Sequence, residues 1–185
     1  MKTLFIDKEI KYIGSQLAPH WIYKQFNIMG DAIVAFQGEC DVKLTEMVDI
    51  EDVINNEPIY SKYMLNFITE QYSISLVEGV LRQRLLITII KELLESHGVF
   101  VVRNGDDLMI DGKKLSVSIA TKSINSVLIH TGLNILSEGA PVVAAGLQSE
   151  LNIKDIKGFA LDVMQRYADE LDDIVLASTK VRGVY

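Results

Sequence analysis

The feature that most constrains the fold is a long amphipathic segment that ends at Gly98 and leads directly into a series of short strand-like segments. Ser75 and Glu78 have the spacing of a capping box, which predicts that a helix begins there. Gly98 is the residue at which this helix is expected to stop. Apolar residues recur between these points at helical intervals, at Leu76, Val77, Val80, Leu81, Ile87, Ile90 and Leu94. So broad an apolar stripe must be substantially buried, and the rest of the chain has to supply the surface that buries it.

The segments after this helix are typical of strands. Their apolar and β-branched residues are bounded by turn residues, and Asp111-Gly112 has the composition of a tight hairpin. The strand-like segments are VFVVR from residue 99, DLMID from residue 107, KKLSVSIAT from residue 113 and SVLIHTGLNI from residue 126. The tail from Asn152 and Asp155 predicts a second amphipathic helix, because apolar residues again follow one stripe.

The first seventy residues predict a mixture of strands and one helix. We expect strands at residues 2–6, 10–13, 32–37 and 63–72, and a helix from Ser15 to Phe26 with Pro19 in its first turn. The whole pattern favours an α+β fold, with a single mixed, largely antiparallel β-sheet and helices packed on it. A length of 185 residues suits one domain over residues 1–185.

An acidic connection runs from Asp41 to Glu57, between the strands predicted at residues 32–37 and 63–72. Its only basic residue is Lys43, and its acids are Asp41, Glu46, Asp49, Glu51, Asp52 and Glu57. We interpret it as an exposed connection with a short helical turn, closed by Pro58.

Charge and composition exclude several classes of protein. The net charge of -7 gives no global attraction for nucleic acid or for an anionic membrane. Cys40 is the only cysteine, which excludes a disulfide framework and a cysteine-rich metal site. The N-terminus becomes charged within a few residues, and no apolar run reaches the roughly 18 residues of a membrane span. We therefore expect a cytoplasmic protein without a membrane or nucleic-acid partner.

Several residues between Arg103 and Ile135 resemble the core of the biotin and lipoate protein ligase family. In that family a basic residue and an Asn-Asp pair begin a strand, a Gly-x-Lys hairpin follows, and a Gly-x-Asn strand comes after it. The matching residues here are Arg103, Asp106, Asp107, Gly112, Lys114, Gly132 and Asn134. Ser116 resembles a serine that follows the lysine in lipoate ligases, and Gln37 lies at a strand end that resembles the family's Ala-Glu-Glu-Gln. The chain also resembles a family in the same fold group that is catalogued only as a domain of unknown function (family 366).

The resemblance implies a fold like that of biotin ligases and class II aminoacyl-tRNA synthetases, and a pocket for a small carboxylic acid. Lys114 and Asp107 would be the catalytic residues. The Lys114 ammonium would offset charge on a phosphate or carbonyl oxygen, and Asp107 would orient or deprotonate an incoming amine. The residues expected to bind ligand are Arg103, Asp106, Gly112, Ser116, Gly132, Asn134 and Gln37. An acceptor protein would be the second partner, and the exposed edges of a mixed sheet are compatible with a homodimer.

The chain departs from the ligase pattern where phosphate should be held. Biotin and lipoate ligases have arginine- and glycine-rich segments at the place where this chain has its acidic connection. Asp106 replaces a neutral amide, so that residue either binds Mg²⁺ or recognises something other than the usual nucleotide. ATP with Mg²⁺ is therefore an open question, and no dedicated metal site is predicted.

The octanoyltransferase branch of the superfamily gives a second comparison. Its His-Gly-x-x-x-Asn motif is only faintly matched by the run from His130 to Asn134, and its cysteine nucleophile is replaced here by the segment from Ser137 to Pro141. A thioester intermediate would need Cys40 in the pocket. His130 itself either faces the pocket or is a core histidine.

Each matching residue also has a purely structural interpretation. Asp106 and Asp107 are ordinary turn residues, Lys114 suits a solvated hairpin arm, and Gly132 suits a bulge. Two hypotheses follow. One is an enzyme of acyl or adenylyl transfer to or from a small carboxylic acid, and the other is a non-catalytic module of the same fold that binds a small molecule or a protein. A remoter third hypothesis, an RNA-associated relative of the class II synthetases, is opposed by the net charge.

Overall fold

The structure, a computed structural model, describes residues 1–184 and contains helices and strands in a mixed order. The helices are α1 (Trp21–Phe26), α2 (Ile50–Asn55), α3 (Leu76–Ser96) and α4 (Ile156–Thr179), with a short 3-10 turn at Leu44–Glu46. The strands are β1 (Lys2–Ile6), β2 (Ala32–Val42), β3 (Ile59–Tyr72), β4 (Val102–Asn104), β5 (Asp107–Ile110), β6 (Lys113–Lys114), β7 (Ser116–Lys122) and β8 (Ser126–Asn134).

Five strands form the main sheet in the order β1-β2-β3-β8-β7. Strand β1 runs parallel to β2, and the other neighbouring strands are antiparallel. Strands β4, β5 and β6 form a separate small antiparallel sheet. The α+β class with a mixed, largely antiparallel sheet is therefore confirmed, and the run of strands after α3 is divided between the two sheets.

One face of the main sheet is buried under the long helices. Helix α3 packs against β7 and β8, and α4 packs against β1, β2 and α3. The core on this face includes Leu65 and Phe67 from β3 and Phe159 and Tyr167 from α4. The predicted caps are in place, because Ser75 accepts a hydrogen bond from the amide of Glu78 at 3.1 Å and Asp155 accepts one from the amide of Gly158 at 2.8 Å.

The opposite face is covered by irregular chain. A smaller core lies here, with Val34 and Phe36 from β2 and Met64 and Ile68 from β3. Apolar side chains of the segments around Trp21 and Met47 pack on it. Because no long helix of residues 1–184 covers this face, it leaves room for cavities beside β7 and β8.

Two predicted elements in this covering are wrong. Residues 10–13 form no strand, and only Tyr12 makes an isolated bridge, to Cys40. The helix expected from Ser15 begins only at Trp21. The physical reason is that His20 has a left-handed backbone and donates its amide to the buried carboxylate of Glu70 at 2.8 Å, which turns the chain away from a helix.

Candidate functional site

The main cavity on the irregularly covered face has a volume of about 400 Å³. Its floor is formed by side chains of β3, β7 and β8, and its walls by α2 with the start of β3 and by residues 140–142. The lining residues are Asp52, Asn56, Glu57, Pro58, Ile59, Tyr60, Met64, Lys114, Val117, Asn134, Ala140, Pro141 and Val142. The volume falls within the range of about 300–1,000 Å³ that is usual for small-molecule sites.

Lys114 is the lysine that the sequence predicts, and it lies at this cavity. Its amide donates to the carbonyl oxygen of Val143 at 2.9 Å, and its carbonyl oxygen accepts from the amide of Ala145 at 3.0 Å. Its Nζ lies 3.0 Å from Oδ1 of Asp107, and each of the two side chains is 35% exposed. The two residues lie diagonally across β5 and β6, so the hairpin holds the ammonium at a defined place.

Asn134 forms part of the floor on β8, and Gly132 lies two residues before it on the same strand. Asn134 is 8% exposed, and its Nδ2 makes one long hydrogen bond of 3.4 Å to the carbonyl oxygen of Lys114. A Cβ added at Gly132 would overlap the sulfur of Met64 and lie 3.2 Å from Cγ2 of Val117. Glycine at this position therefore lets Met64 lie flat against β8 beneath the cavity.

The acidic connection supplies one wall of the cavity, which sequence reasoning missed. Asp49 caps the N-terminus of helix α2, and its Oδ1 accepts from the amide of Glu51 at 2.9 Å. The helix carries Asp52 to the cavity, and Glu57 follows at its end. Partial burial raises the pKa of Asp52, as does the charge of Asp49, and the nearby Lys114 ammonium opposes this rise. The acidic run was visible in the sequence, but nothing in it showed which carboxylates turn inward.

Three of the predicted ligand-binding residues lie away from the cavity. Asp106 pairs with α3, because Oδ1 lies 3.3 Å from a nitrogen of Arg84 and Oδ2 accepts from Gln83 at 3.1 Å. Ser116 is 1% exposed, and its hydroxyl accepts from the amide of Leu108 at 2.8 Å. Arg103 points along its own turn and donates to the carbonyl oxygen of Gly105 at 2.7 Å. These contacts give all three residues structural roles.

Gln37 and Gly112 also lie outside the lining. Ile33 and Ala35 on the same strand belong to the core under the helices. Because side chains alternate along a strand, Gln37 also lies on the helical face, opposite the face that carries the cavity. Gly112 completes the hairpin turn after Asp111, and both residues have positive φ angles, as a type I′ turn requires.

The buried His130 and Cys40 are held in the smaller core. His130 Nε2 lies 2.9 Å from Oδ1 of Asn66, its ring stacks on Tyr12 with 3.9 Å between centroids, and burial lowers its pKa to about 3. Burial raises the pKa of the Cys40 thiol to about 12 and holds it as a neutral thiol. The thiol is fully buried and is absent from the cavity lining, so the structure does not bring it to Lys114.

Within residues 1–184, no group of three or more His, Cys, Asp or Glu side chains is arranged to hold a metal ion. No helix in that part of the chain is long and apolar enough to cross a membrane.

Comparison with known proteins gives a match over almost the whole chain. A family model described as a domain of unknown function (DUF366) matches residues 1–182. An uncharacterized protein from Methanocaldococcus jannaschii is 37% identical over 179 residues, which are 94% of this chain and 81% of that protein. A protein of unknown function from Pyrococcus horikoshi has a solved structure with a TM-score of 0.93 and 38% identity, covering 100% of this chain and 99% of that one.

More distant solved structures share the fold. A bi-partite lipoate protein ligase from Thermoplasma acidophilum has a TM-score of 0.61 and 11% identity, covering 92% of this chain and 83% of that one. A biotin protein ligase from Aquifex aeolicus, solved in complex with biotin, has a TM-score of 0.56 and 16% identity, covering 93% of this chain and 70% of that one. The predicted likeness to biotin and lipoate ligases in fold is therefore confirmed.

Proposed function

The chain belongs to the family described as a domain of unknown function (DUF366), and from that premise we propose that the protein transfers acyl groups to or from a small carboxylic acid that binds beside Lys114. The observation that carries the proposal is Lys114 in the lining of a cavity of about 400 Å³, with its Nζ 3.0 Å from Oδ1 of Asp107, which lies beside it outside the lining. Two proteins of the same fold are named as ligases of lipoate and of biotin, and both of these ligands are carboxylic acids. This likeness supports the choice of ligand class.

In the proposed transfer step, an amine nitrogen attacks the carbonyl carbon of an activated acyl group such as a thioester. The new C–N bond forms as the bond to the leaving group breaks, and the leaving group departs with the electron pair. Lys114 donates a hydrogen bond to the carbonyl oxygen and offsets the negative charge that develops there. Asp107 takes the proton that the amine releases, through Oδ2, which has no hydrogen-bond partner in the described part of the chain. A lysine of an acceptor protein would supply such an amine.

The acidic wall favours a donor without a triphosphate over adenylation by ATP. Asp52 and Glu57 line the cavity, and the lone lysine of the lining is already paired with Asp107. A polyphosphate would meet like charges here, because the lining that the structure describes contains no arginine to grip it. Adenylyl transfer is therefore the less favoured form of the proposal.

A non-catalytic binding module is the second candidate. The observation that favours it is the chemistry of the lining, which among residues 1–184 includes no serine, threonine, cysteine or histidine. A covalent acyl-enzyme would lack its usual nucleophile in such a cavity. The same cavity would still bind a small acid through Lys114 and its apolar floor.

The experiment compares Lys114→Met with the matched control Lys113→Met in a thermal-shift screen with octanoate, with and without ATP and Mg²⁺. Lys113 is the neighbouring lysine, and its side chain lies outside the main cavity. We expect octanoate to stabilise the wild type and Lys113→Met and to leave Lys114→Met unchanged. Without ligand, the loss of this partly exposed ion pair costs at most about 1 kcal/mol, or about 2–4 °C in Tm.

A second measurement separates the two candidate functions. The protein is incubated with an octanoyl thioester and a simple primary amine, and the amide product is measured by mass spectrometry. Amide formation that needs Lys114 supports the enzyme, and binding without amide supports the module. Equal stabilisation of Lys114→Met and wild type by octanoate would remove the carboxylic-acid proposal altogether.

A further inference from the structure

The charge around the main cavity does not match a simple fatty acid. Among the described residues, the lining carries one cation, Lys114, and two carboxylates, Asp52 and Glu57. The Lys114 ammonium is already paired with Asp107, which lies outside the lining. A ligand with only a carboxylate would add a further negative charge to a site that is already net negative. The cavity is therefore better suited to a ligand that also brings a positive charge.

Asp52 is the carboxylate of the lining that is partly buried without a direct ion pair in the described part of the chain. Its side chain is partly buried, and its carboxylate accepts no hydrogen bond and forms no ion pair within residues 1–184. Several ion pairs within the described residues lie instead on exposed surface, such as Lys11 with Asp41 at 2.9 Å and Lys62 with Glu138 at 3.1 Å. A carboxylate that is partly removed from water without a partner is costly, and a ligand ammonium would remove that cost.

Asp52 also marks the inner end of the site. A second, smaller cavity of about 50 Å³ adjoins the main one, and Asp52 and Ile59 line both. Lys114 lines only the main cavity. A ligand that touches both charged groups must therefore extend along the floor from Lys114 towards this junction. The lining also includes the apolar side chains of Met64 and Val117, which suit an aliphatic spacer.

Asn134 gives independent evidence that a polar ligand binds at the Lys114 end. The residue is 8% exposed, and the only hydrogen bond of its side chain in the described structure is the long one from Nδ2 to the carbonyl oxygen of Lys114. Its Oδ1 has no hydrogen-bond partner in residues 1–184. The atom is not fully enclosed by protein, so it is open to the cavity. Buried amides rarely leave half of their hydrogen-bonding capacity unused, which indicates a place for a bound ligand or water.

From these features we infer that the natural ligand is a zwitterionic ω-amino carboxylic acid, with its carboxylate at Lys114 and its ammonium at Asp52. This inference rests on the proposed function for the carboxylate end and adds the ammonium end. It also explains why α2 places acids here: the wall recognises the amine, and it makes simple fatty acids and polyphosphates bind less tightly than a ligand with an ammonium group.

The test measures the affinities of ε-aminohexanoate and hexanoate by calorimetry for wild type, Asp52→Asn and the control Glu51→Gln. Glu51 is an exposed acid of the same helix outside both cavities, so its substitution changes the charge equally without touching the site. We expect wild type and Glu51→Gln to bind ε-aminohexanoate about tenfold more tightly than hexanoate, the effect of roughly one charge-assisted hydrogen bond. In Asp52→Asn this preference should fall to about twofold or less.

The outcomes separate this inference from the proposed function. Hexanoate that binds wild type as tightly as ε-aminohexanoate, or a preference that survives in Asp52→Asn, overturns the zwitterionic ligand. Hexylamine serves as the opposite probe, because tighter binding of hexylamine than of ε-aminohexanoate would also overturn it. The proposed function is judged separately, by whether Lys114→Met weakens the binding of hexanoate.

Discussion

The two faces of the main sheet differ in what covers them, and this difference separates stability from function. The helical face is sealed by α3 and α4, which have 21 and 24 residues. The opposite face is covered by irregular segments and by α1 and α2, which have six residues each. Two cavities lie on this second face: the main cavity, lined by Asp52 and Lys114, and the smaller cavity, lined by Asp52 and His130. A continuous helix leaves little space over a sheet, whereas short segments leave gaps in which polar groups can meet a ligand.

The first prediction compares one phenylalanine from each face. Phe67 and Phe36 are both 0% exposed and lie on neighbouring strands, Phe67 in the helical core and Phe36 in the smaller core beside Trp21. Replacement of a buried phenylalanine by alanine costs about 3–5 kcal/mol, and the cost is lower where the surroundings can collapse into the space. We expect Phe67→Ala to lie near the top of this range and Phe36→Ala near the bottom, as measured by urea unfolding.

The outcome bears directly on the comparison of the two faces. Equal losses would mean that the irregular covering is as rigid as the helices. A larger loss of unfolding free energy for Phe36→Ala would mean that the irregularly covered face contributes more to stability than the helical face.

The fold could be predicted from the sequence where local signals decide it. Ser75 caps α3 and Asp155 caps α4, and both signals act over three residues. The segment before Trp21 could not be predicted, because its shape depends on the contact between the amide of His20 and the carboxylate of Glu70, 50 residues away in sequence. Local propensity carries no information about such a contact, and the predicted helix was therefore too long.

The candidate site could be predicted only in part, for the same reason. Lys114 and Asn134 were found through a motif, and both line the cavity. Asp106 and Ser116 belong to the same motif, but their partners on α3 and β5 are set by packing. Asp52 was hidden among several acids, since only the fold turns it towards Lys114.

The second prediction concerns pH and the irregularly covered face. Burial lowers the pKa of His130 to about 3, below the value of about 6.5 in an unfolded chain. Only the unfolded state therefore binds a proton as the pH falls below about 6.5, and folding stability is lost in that window. Between about pH 7.5 and about pH 5.5, the free energy of unfolding of wild type should fall by about 1.3 kcal/mol because of this residue. His130→Gln should lack this contribution.

The change in unfolding free energy between the two pH values is measured for each protein, so that any constant cost of the substitution cancels. The same slope in His130→Gln and wild type would show that His130 is solvated in the folded state. Water would then reach the ring of His130, and the irregularly covered face would be open around Tyr12.

The third and smallest effect is expected at the cap of α2. Asp49→Ala removes the acceptor for the amides of Glu51 and Asp52, at 2.9 and 3.4 Å. Loss of such a cap costs about 1 kcal/mol within its own helix. No residue of α2 is buried, so we expect the helix to open locally, with about fivefold faster amide hydrogen exchange at residues 51 and 52 and little change in global stability.

Ser75→Ala is the matched control on the helical face, because Ser75 caps α3 by the same kind of bond at 3.1 Å. Helix α3 packs into the main core through residues such as Leu86 and Ile90, so we expect a loss at its cap to lower global stability. The same loss of about 1 kcal/mol should therefore appear in the urea unfolding of Ser75→Ala and only in local exchange for Asp49→Ala. A global loss from Asp49→Ala would mean that the acidic wall is part of the folding core, and a wall of that kind could not adjust to a ligand at Asp52.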